Sequence, residues 1–352
     1  SGVRVLEIFL RARAILTSYL GLSPWQKAVF RGLLAKPRFF HGLLAWGARF
    51  QRFFLAPADA LLGSSCTRFL SPLVQERHVR PLAARPFHQQ VPACHSPAAP
   101  GRPTVAFFVG CLVDKFFPAV GQAVLTVMQH LGVGVEIPAD QGCCGIPALS
   151  AGDLTAFSRL VRHHLRQWQE QPWDYLITAC ATCTATIRTL WPLFLPEATG
   201  AEKRALQDLA TKTLDISQFL VDVIGIAVPP PRSTAIPLRV TYHDPCHLKK
   251  SLGVAAQPRT LLRATPGVQL LEMAGADQCC GCGGSFNLQQ YEISKAIGQR
   301  KIDNILATEA QIVATGCPAC MLQLLDLLSQ REARVQVRHT IELYAQALAE
   351  SA

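Results

Sequence analysis

The sequence predicts an α/β protein made of two tandem βαβ-type repeats behind a mainly helical N-terminal segment. Three observations carry that prediction. First, Cys111, Cys143, Cys144, Cys180 and Cys183 are matched by Cys246, Cys279, Cys280, Cys317 and Cys320, at offsets of 135 to 137 residues. Chance does not produce five matched cysteines drifting by only two positions, so the period marks an internal duplication. Second, each copy alternates short apolar runs with helical stretches in one order, the pattern of parallel βαβ units. Third, two proline-rich stretches, residues 81–103 and 229–237, read as extended linkers. They leave blocks at 1–80, 104–228 and 238–352.

The N-terminal third differs in composition from the rest. The 352 residues include 34 Lys/Arg and 24 Asp/Glu, a net charge of +10. Residues 1–103 hold 14 of the basic and 3 of the acidic residues, with 12 of the 27 aromatics, so the whole excess sits there. Residues 25–55 mix Arg and Lys with Phe and Trp at helical spacing. That suits an interfacial helix on anionic lipid, a dock for a partner subunit, or an arm packed on the repeats. No RNA- or DNA-binding signature accompanies it, so no nucleic acid partner is expected. An apolar content of 49% with 16% charged residues excludes a disordered chain.

In the first repeat the run VAFFVG leads to Cys111. The uncharged stretch Phe116 to Val135 is long enough to span a bilayer. It contains Pro118, Gln122, Gln129, His130 and three glycines, and so reads as a buried helix leading into a strand. VGVEIP then leads to the CCG, a helix is expected over Leu154 to Gln169, and YLITAC ends at the CxxC. The second repeat follows suit with LRVTYH, VQLLEM, a helix over Leu288 to Leu306, and QIVATGC. Each cysteine group falls just after an expected strand, at the carboxyl edge where open α/β sheets bind ligands. Helices starting there aim their amide ends at an anionic group. Gly145 and Gly281, each following the paired cysteines, would let the backbone pass close to that group.

Thirteen cysteines, several as CC or CxxC and without a secretory signal, argue for metal or redox ligation over a disulfide framework. Buried thiols, a closed zinc site and an iron–sulfur centre are the three chemistries open. Zinc takes four ligands while each repeat offers five, two of them adjacent, which favours a polynuclear iron–sulfur centre. Lys115 and Lys250 each lie four residues after the first cysteine and would offset thiolate charge, unless they are solvated lysines early in a helix. His243 and His247 flank Cys246 as sulfur hydrogen-bond donors, proton carriers or structural histidines. Asp244 and Asp153 are expected as helix N-caps. Cys282 has no counterpart in the first repeat and would be a sixth thiolate, a substrate contact or a bystander. Cys66 and Cys94, outside the repeats, are expected to be inert. No phosphate loop, Walker motif or GxSxG is present, so nucleotide binding and serine chemistry are unsupported.

The motifs C-x31-CCG-x34-CxxC and C-x32-CCG-x35-CxxC resemble the duplicated cysteine-rich (CCG) domain. This domain occurs in a cysteine-rich component of heterodisulfide reductase and in the iron–sulfur subunits of glycolate and D-lactate dehydrogenases. The resemblance covers residues 104–352 and extends to HDPCHLKK (His243 to Lys250) and QCCGCGG (Gln278 to Gly284). It implies that the ten cysteines hold two 4Fe–4S clusters of the noncubane type. SGVRVLEIFLRAR looks like the segment that follows a two-cluster ferredoxin module in the glycolate oxidase subunit, which, with Ser1 as first residue, implies a processed or truncated product lacking that module. The resemblance further implies an electron-transfer subunit of an FAD-dependent 2-hydroxyacid dehydrogenase, with FAD on a partner subunit. Electrons would pass toward quinone or another carrier, in the cytoplasm at the inner face of the membrane. A heterodisulfide-reductase-like enzyme and a zinc scaffold are the alternatives.

Overall fold

The computed structural model describes residues 4–69, 74–168, 172–227 and 237–351, so the expected linker at 229–237 lies outside the described residues except for Pro237. The N-terminal block contributes a short antiparallel hairpin, β1 (Leu55–Asp59) and β2 (Ser64–Thr67), and β3 (Cys94–Ser96) follows. The first repeat supplies β4 (Thr104–Phe108), β5 (Gly134–Ile137), β6 (Tyr175–Thr178) and β7 (Thr213–Asp215). The second supplies β8 (Leu238–Tyr242), β9 (Val268–Leu271), β10 (Ile312–Thr315) and β11 (Gln336–His339). The sheets run β3-β5-β4-β6-β7 and β11-β10-β8-β9. Within each repeat the order is therefore second, first, third, fourth strand, all parallel. The expected α/β duplication is present in full.

These strands form because both faces of each sheet are covered. Val105, Ala106, Phe107 and Phe108 of β4 are all buried, so the run is continuously apolar instead of alternating. Each fully buried Phe contributes about 2 kcal/mol of apolar burial. The helix Leu154–Trp168 buries Phe157, Leu160, Val161, His164, Leu165 and Trp168, the spacing of one helical face. Asp153 starts it as expected, accepting the Ala156 N–H at 3.1 Å. The stretch from Phe116 to Val135 resolves into helix Pro118–His130, with Pro118 in its first turn, and the start of β5. Among the described residues no helix is long and apolar enough to cross a membrane.

Two expectations need correction. The helix expected over Leu288 to Leu306 is broken at Gln290, whose φ of −131° separates Ser285–Gln289 from Tyr291–Leu306. The proline-rich stretch 81–103 is more than an extended linker. Its proline-free part forms β3, which pairs antiparallel with β5 through Cys94, His95 and Ser96. The N-terminal block is mainly helical as expected, and it also contains the β1–β2 hairpin.

That block straps both repeats. Arg13 donates to the Ser150 carbonyl at 2.7 Å, Arg31 to Asp153 at 2.9 Å and Arg38 to Asp140 at 2.7 Å, all on the first repeat. Farther along, the His78 N–H donates to Asp326 at 2.7 Å and Arg77 stacks over the Tyr291 ring at 3.9 Å, both on the second. The repeats meet at the ends of β6 and β10, where the Ala181 N–H donates to the Gly316 carbonyl at 3.0 Å.

Candidate metal centre

The ten repeated cysteines converge on the carboxyl edges of the sheets, and none is in a disulfide. In the first repeat Cys111 Sγ lies 3.8 Å from Cys143 Sγ. Neighbouring thiols that influence one another's ionisation continue from Cys143 to Cys144, then to Cys183 and Cys180. The second repeat has the same sequence of contacts: Cys246, Cys279, Cys280, Cys320, Cys317. Cys180 and Cys317 also contact each other, joining the two sets across the repeat boundary. The ten thiols thus form one chain of neighbours that reads the same from either end.

This donor set fits a polynuclear thiolate-bound centre. Neighbouring thiols and burial together push Cys183 and Cys320 well above the ordinary thiol pKa. Crowded, buried thiolates repel one another, and several can ionise together only around compensating positive charge such as iron. Backbone amides add to the field. Cys180 and Cys317 are extended residues leading into helices Ala181–Ala185 and Pro318–Gln330. The N–H groups of Gly145 and Gly281 donate to Cys143 Sγ at 3.4 Å and Cys279 Sγ at 3.3 Å.

Both glycines take a left-handed backbone, with φ of +93° and +91°. A Cβ at Gly145 would lie 2.8 Å from the Phe157 ring, and one at Gly281 would strike the backbone carbonyl of Ser294. The tight approach is thus to the following helix, whereas the sequence pointed to the bound group.

The surroundings of the two thiol sets differ. Beside the first, His164 Nε2 lies 3.2 Å from the Cys143 carbonyl, and Trp191 Nε1–H donates to the Cys144 carbonyl at 2.8 Å. Burial pushes His164 down to about 4. Cys143 itself is 1% exposed, because the arm closes over its loop: Pro37 packs on Gly142, and His41 Nε2 bonds the Gln141 carbonyl at 2.9 Å. Lys115 is buried, with Nζ 2.8 Å from Asp114, 2.6 Å from His41 Nδ1 and 3.2 Å from His88 Nδ1. The carbonyl of Gln141 fixes the proton of His41 on Nε2, leaving Nδ1 to accept from the Lys115 ammonium. Burial accordingly pushes His41 down to about 4. His41, His88 and Asp114 have the spacing of a cation site, but the Lys115 ammonium already occupies their midst.

Beside the second set, Cys279 is exposed. Lys250, the match of Lys115, is exposed as well, so the expected symmetry of the two lysines is lost. A buried cation comes instead from Lys301, whose Nζ donates to the Ala276 carbonyl at 3.1 Å. Sequence reading missed Lys301 because it sits mid-helix, twenty residues from the nearest CCG residue; its only signal was a lone charge on the buried face of Tyr291–Leu306. His243 is buried, neither ring nitrogen has a hydrogen-bond partner, and its nitrogen lies within 4.8 Å of the Cys280 and Cys320 thiols. Its counterpart in the first repeat is Phe108. His247 Nδ1 lies 3.0 Å from Thr182 Oγ1, which is 3.4 Å from Cys317 Sγ, so it bridges the repeats.

Asp244 is not the expected helix cap. Arg259 donates to both its oxygens at 2.7 and 2.9 Å and Lys249 to one at 3.4 Å, so the carboxylate is engaged by side-chain cations and caps no backbone amide of the turn at His247–Ser251. Cys282 is half-buried, and burial pushes its thiol up to about 11. Cys66 lies on the β1–β2 hairpin and Cys94 on β3, both apart from the ten-thiol chain.

The Cysteine-rich domain (CCG) family model matches residues 105–188 and 240–325, one match per repeat. The chain is 37% identical over 240 residues to a component of the fumarate reductase (CoM/CoB) of Methanothermobacter marburgensis, covering 68% of this chain and 45% of that protein. It is 30% identical over 241 residues to lactate utilization protein A of Exiguobacterium sp., covering 68% of this chain and 96% of that protein. An uncharacterized iron-sulfur protein of Methanococcus maripaludis is 34% identical over 226 residues, covering 64% of this chain and 42% of that protein. The chain therefore spans under half of two of these relatives and nearly all of the third.

Proposed function

The chain belongs to the cysteine-rich (CCG) domain family, and from that premise we propose that it is the iron–sulfur electron-transfer subunit of a 2-hydroxyacid dehydrogenase, acting on glycolate or D-lactate. A partner subunit carries the FAD and oxidises the substrate. Cys111, Cys143, Cys144, Cys180 and Cys183 hold one cluster, and Cys246, Cys279, Cys280, Cys317 and Cys320 the other. The observation that carries this reading is the unbroken chain of ten thiols with no disulfide. Such a cluster, when bound, accepts and passes single electrons. The residues around it set its charge balance: Lys301 and Lys115 supply buried cations, glycine amides donate to sulfur, and His243 offers a ring N–H. The basic, aromatic arm supports a peripheral place at an anionic membrane surface, which this reading takes to be the inner face.

Anaerobic purification with iron, sulfide and EPR analysis tests the reading. It expects about eight iron atoms per chain, four for each centre. Stoichiometric zinc without iron would sink it. The exposure of Cys279 favours one second reading, disulfide cleavage at the open centre by the chain itself. Turnover of a disulfide by the isolated chain would select that reading.

A further inference from the structure

One-electron reduction adds a negative charge to a buried cluster, so its potential rises with the N–H donors, unpaired cations and solvent around it. These are divided unequally between the two thiol sets. Beside the first set the polar groups are already engaged. His164 has Nε2 3.2 Å from the Cys143 carbonyl and Nδ1 3.1 Å from Gln167 Oε1. The Trp191 N–H donates to the Cys144 carbonyl at 2.8 Å. Lys115 Nζ lies 2.8 Å from Asp114 Oδ2, so that pair brings no net charge. Three residues before Cys111 stands Phe108, fully buried and without a polar hydrogen.

Beside the second set the donors are free. His243, three residues before Cys246, is 1% exposed. Both its ring nitrogens lack a partner, and one lies within 4.8 Å of the Cys280 and Cys320 thiols. Leaving a buried N–H unmet costs about 1–3 kcal/mol, and the acceptors within reach are sulfur. Lys301 Nζ is fixed by the carbonyls of Gly275 and Ala276 and makes no ion pair among the described residues, and its charge acts on Cys280 and Cys279. The carboxylates nearby are taken: Arg259 holds Asp244, and Lys249 lies 3.4 Å from Asp277. Burial raises Asp215, whose charge would act on Cys317, to about 7, so it is largely protonated at about pH 6. Cys279 is exposed.

We propose that the second thiol set holds its centre at the higher potential, and that His243 sets this order by donating a ring N–H to sulfur of that centre. The order rests on the electron-transfer reading above and gives it a direction. An electron released as the flavin partner oxidises its hydroxyacid comes to rest beside the exposed Cys279. It adds one negative charge there, and no bond forms or breaks.

The test is an EPR-monitored redox titration of the iron–sulfur-loaded chain at about pH 6, with Cys144→Ser and Cys280→Ser assigning the two signals. The second centre is expected to reduce first. His243→Phe, which puts the first repeat's side chain at this position, should lower the second midpoint by about 59 mV, a tenfold change in a one-electron equilibrium. The first midpoint should stay where it is. Pulsed EPR of a chain carrying ¹⁵N-labelled histidine should show a nitrogen coupled to the second signal, and His243→Phe should abolish that coupling. A first centre that reduces first, or an iron-replete His243→Phe chain with an unshifted second midpoint, would overturn the proposal. Should that variant take up no iron, the labelled wild-type chain decides, and a second signal with no coupled histidine nitrogen sinks the role of His243. Iron analysis separates the two readings. Two centres that titrate at one potential in a chain holding about eight irons sink the order alone, whereas zinc in place of iron sinks the reading beneath it.

Discussion

The two repeats place the same five thiols at the edges of the same four-stranded arrangement, yet the second cysteine is covered in one and open in the other. Cys143 lies beneath the arm, whereas its match Cys279 is exposed. The buried cation differs too, Lys115 after the first cysteine in one repeat and Lys301 on a distant helix in the other. Phe108 stands in the first repeat where His243 stands in the second. The difference teaches that duplication kept the thiol geometry while the surroundings, which set access and charge, diverged.

The largest effect that would sharpen this contrast is loss of one centre. Cys144→Ser and Cys280→Ser should each remove about half of the iron and a separate half of the EPR signal. Loss of all the iron from either variant would show that the contact between Cys180 and Cys317 fuses the two sets into one unit.

Next comes stability at the matched glycines. Gly281→Ala should cost about 3 kcal/mol, because its Cβ meets backbone, which cannot rotate away. Gly145→Ala should cost less, about 1–2 kcal/mol, since the Phe157 ring can shift. Urea unfolding of the two variants gives the comparison, and equal losses would break it.

In the metal-free chain, alkylation followed by peptide mass spectrometry should label Cys279 about tenfold or more faster than Cys143, since exposure governs access to a thiol. Equal rates would mean that the arm opens faster than the reagent reacts.

The smallest effect per residue is on acid stability. Burial pushes His41 and His164 beside the first set, and His243 and His339 in the second repeat, down to about 4. Such groups are neutral when folded but protonate when unfolded, so their contribution is present above about pH 6.5 and declines toward pH 4. At pH 5.5 the loss should be on the order of 1 kcal/mol for each. Asp215 acts in the opposite sense. Burial raises it to about 7, so it favours the folded state increasingly as pH falls from 7 toward 4. Urea midpoints that stay flat from pH 6.5 to 5 in an Asp215→Asn variant would contradict the histidine account.

The duplication and the strand–helix alternation were legible because they leave periodic marks in the sequence. β4 and β8 each show as an apolar run ending at a cysteine. β7 and β11 were not legible, since TLD and QVRH are three and four residues long and carry no apolar pattern. The cysteines could be grouped by repeat from sequence alone. Their joining through Cys180 and Cys317 could not, because it depends on how two sheets dock. Lys115 was visible as a charge near a cysteine, but its partners His41 and His88 come from the arm and the proline-rich stretch, 74 and 27 residues away.

The contact between Cys180 and Cys317, with the Ala181 amide bonded to the Gly316 carbonyl beside it, has a history written into it. A half-length ancestor holding this arrangement would have been a homodimer in which one cysteine met its own copy across the symmetry axis. In such a dimer any change at that axis would strike the structure twice; in the fused chain His247 reaches Thr182 while their counterparts are Leu112 and Ala319, an asymmetry that identical halves could not carry.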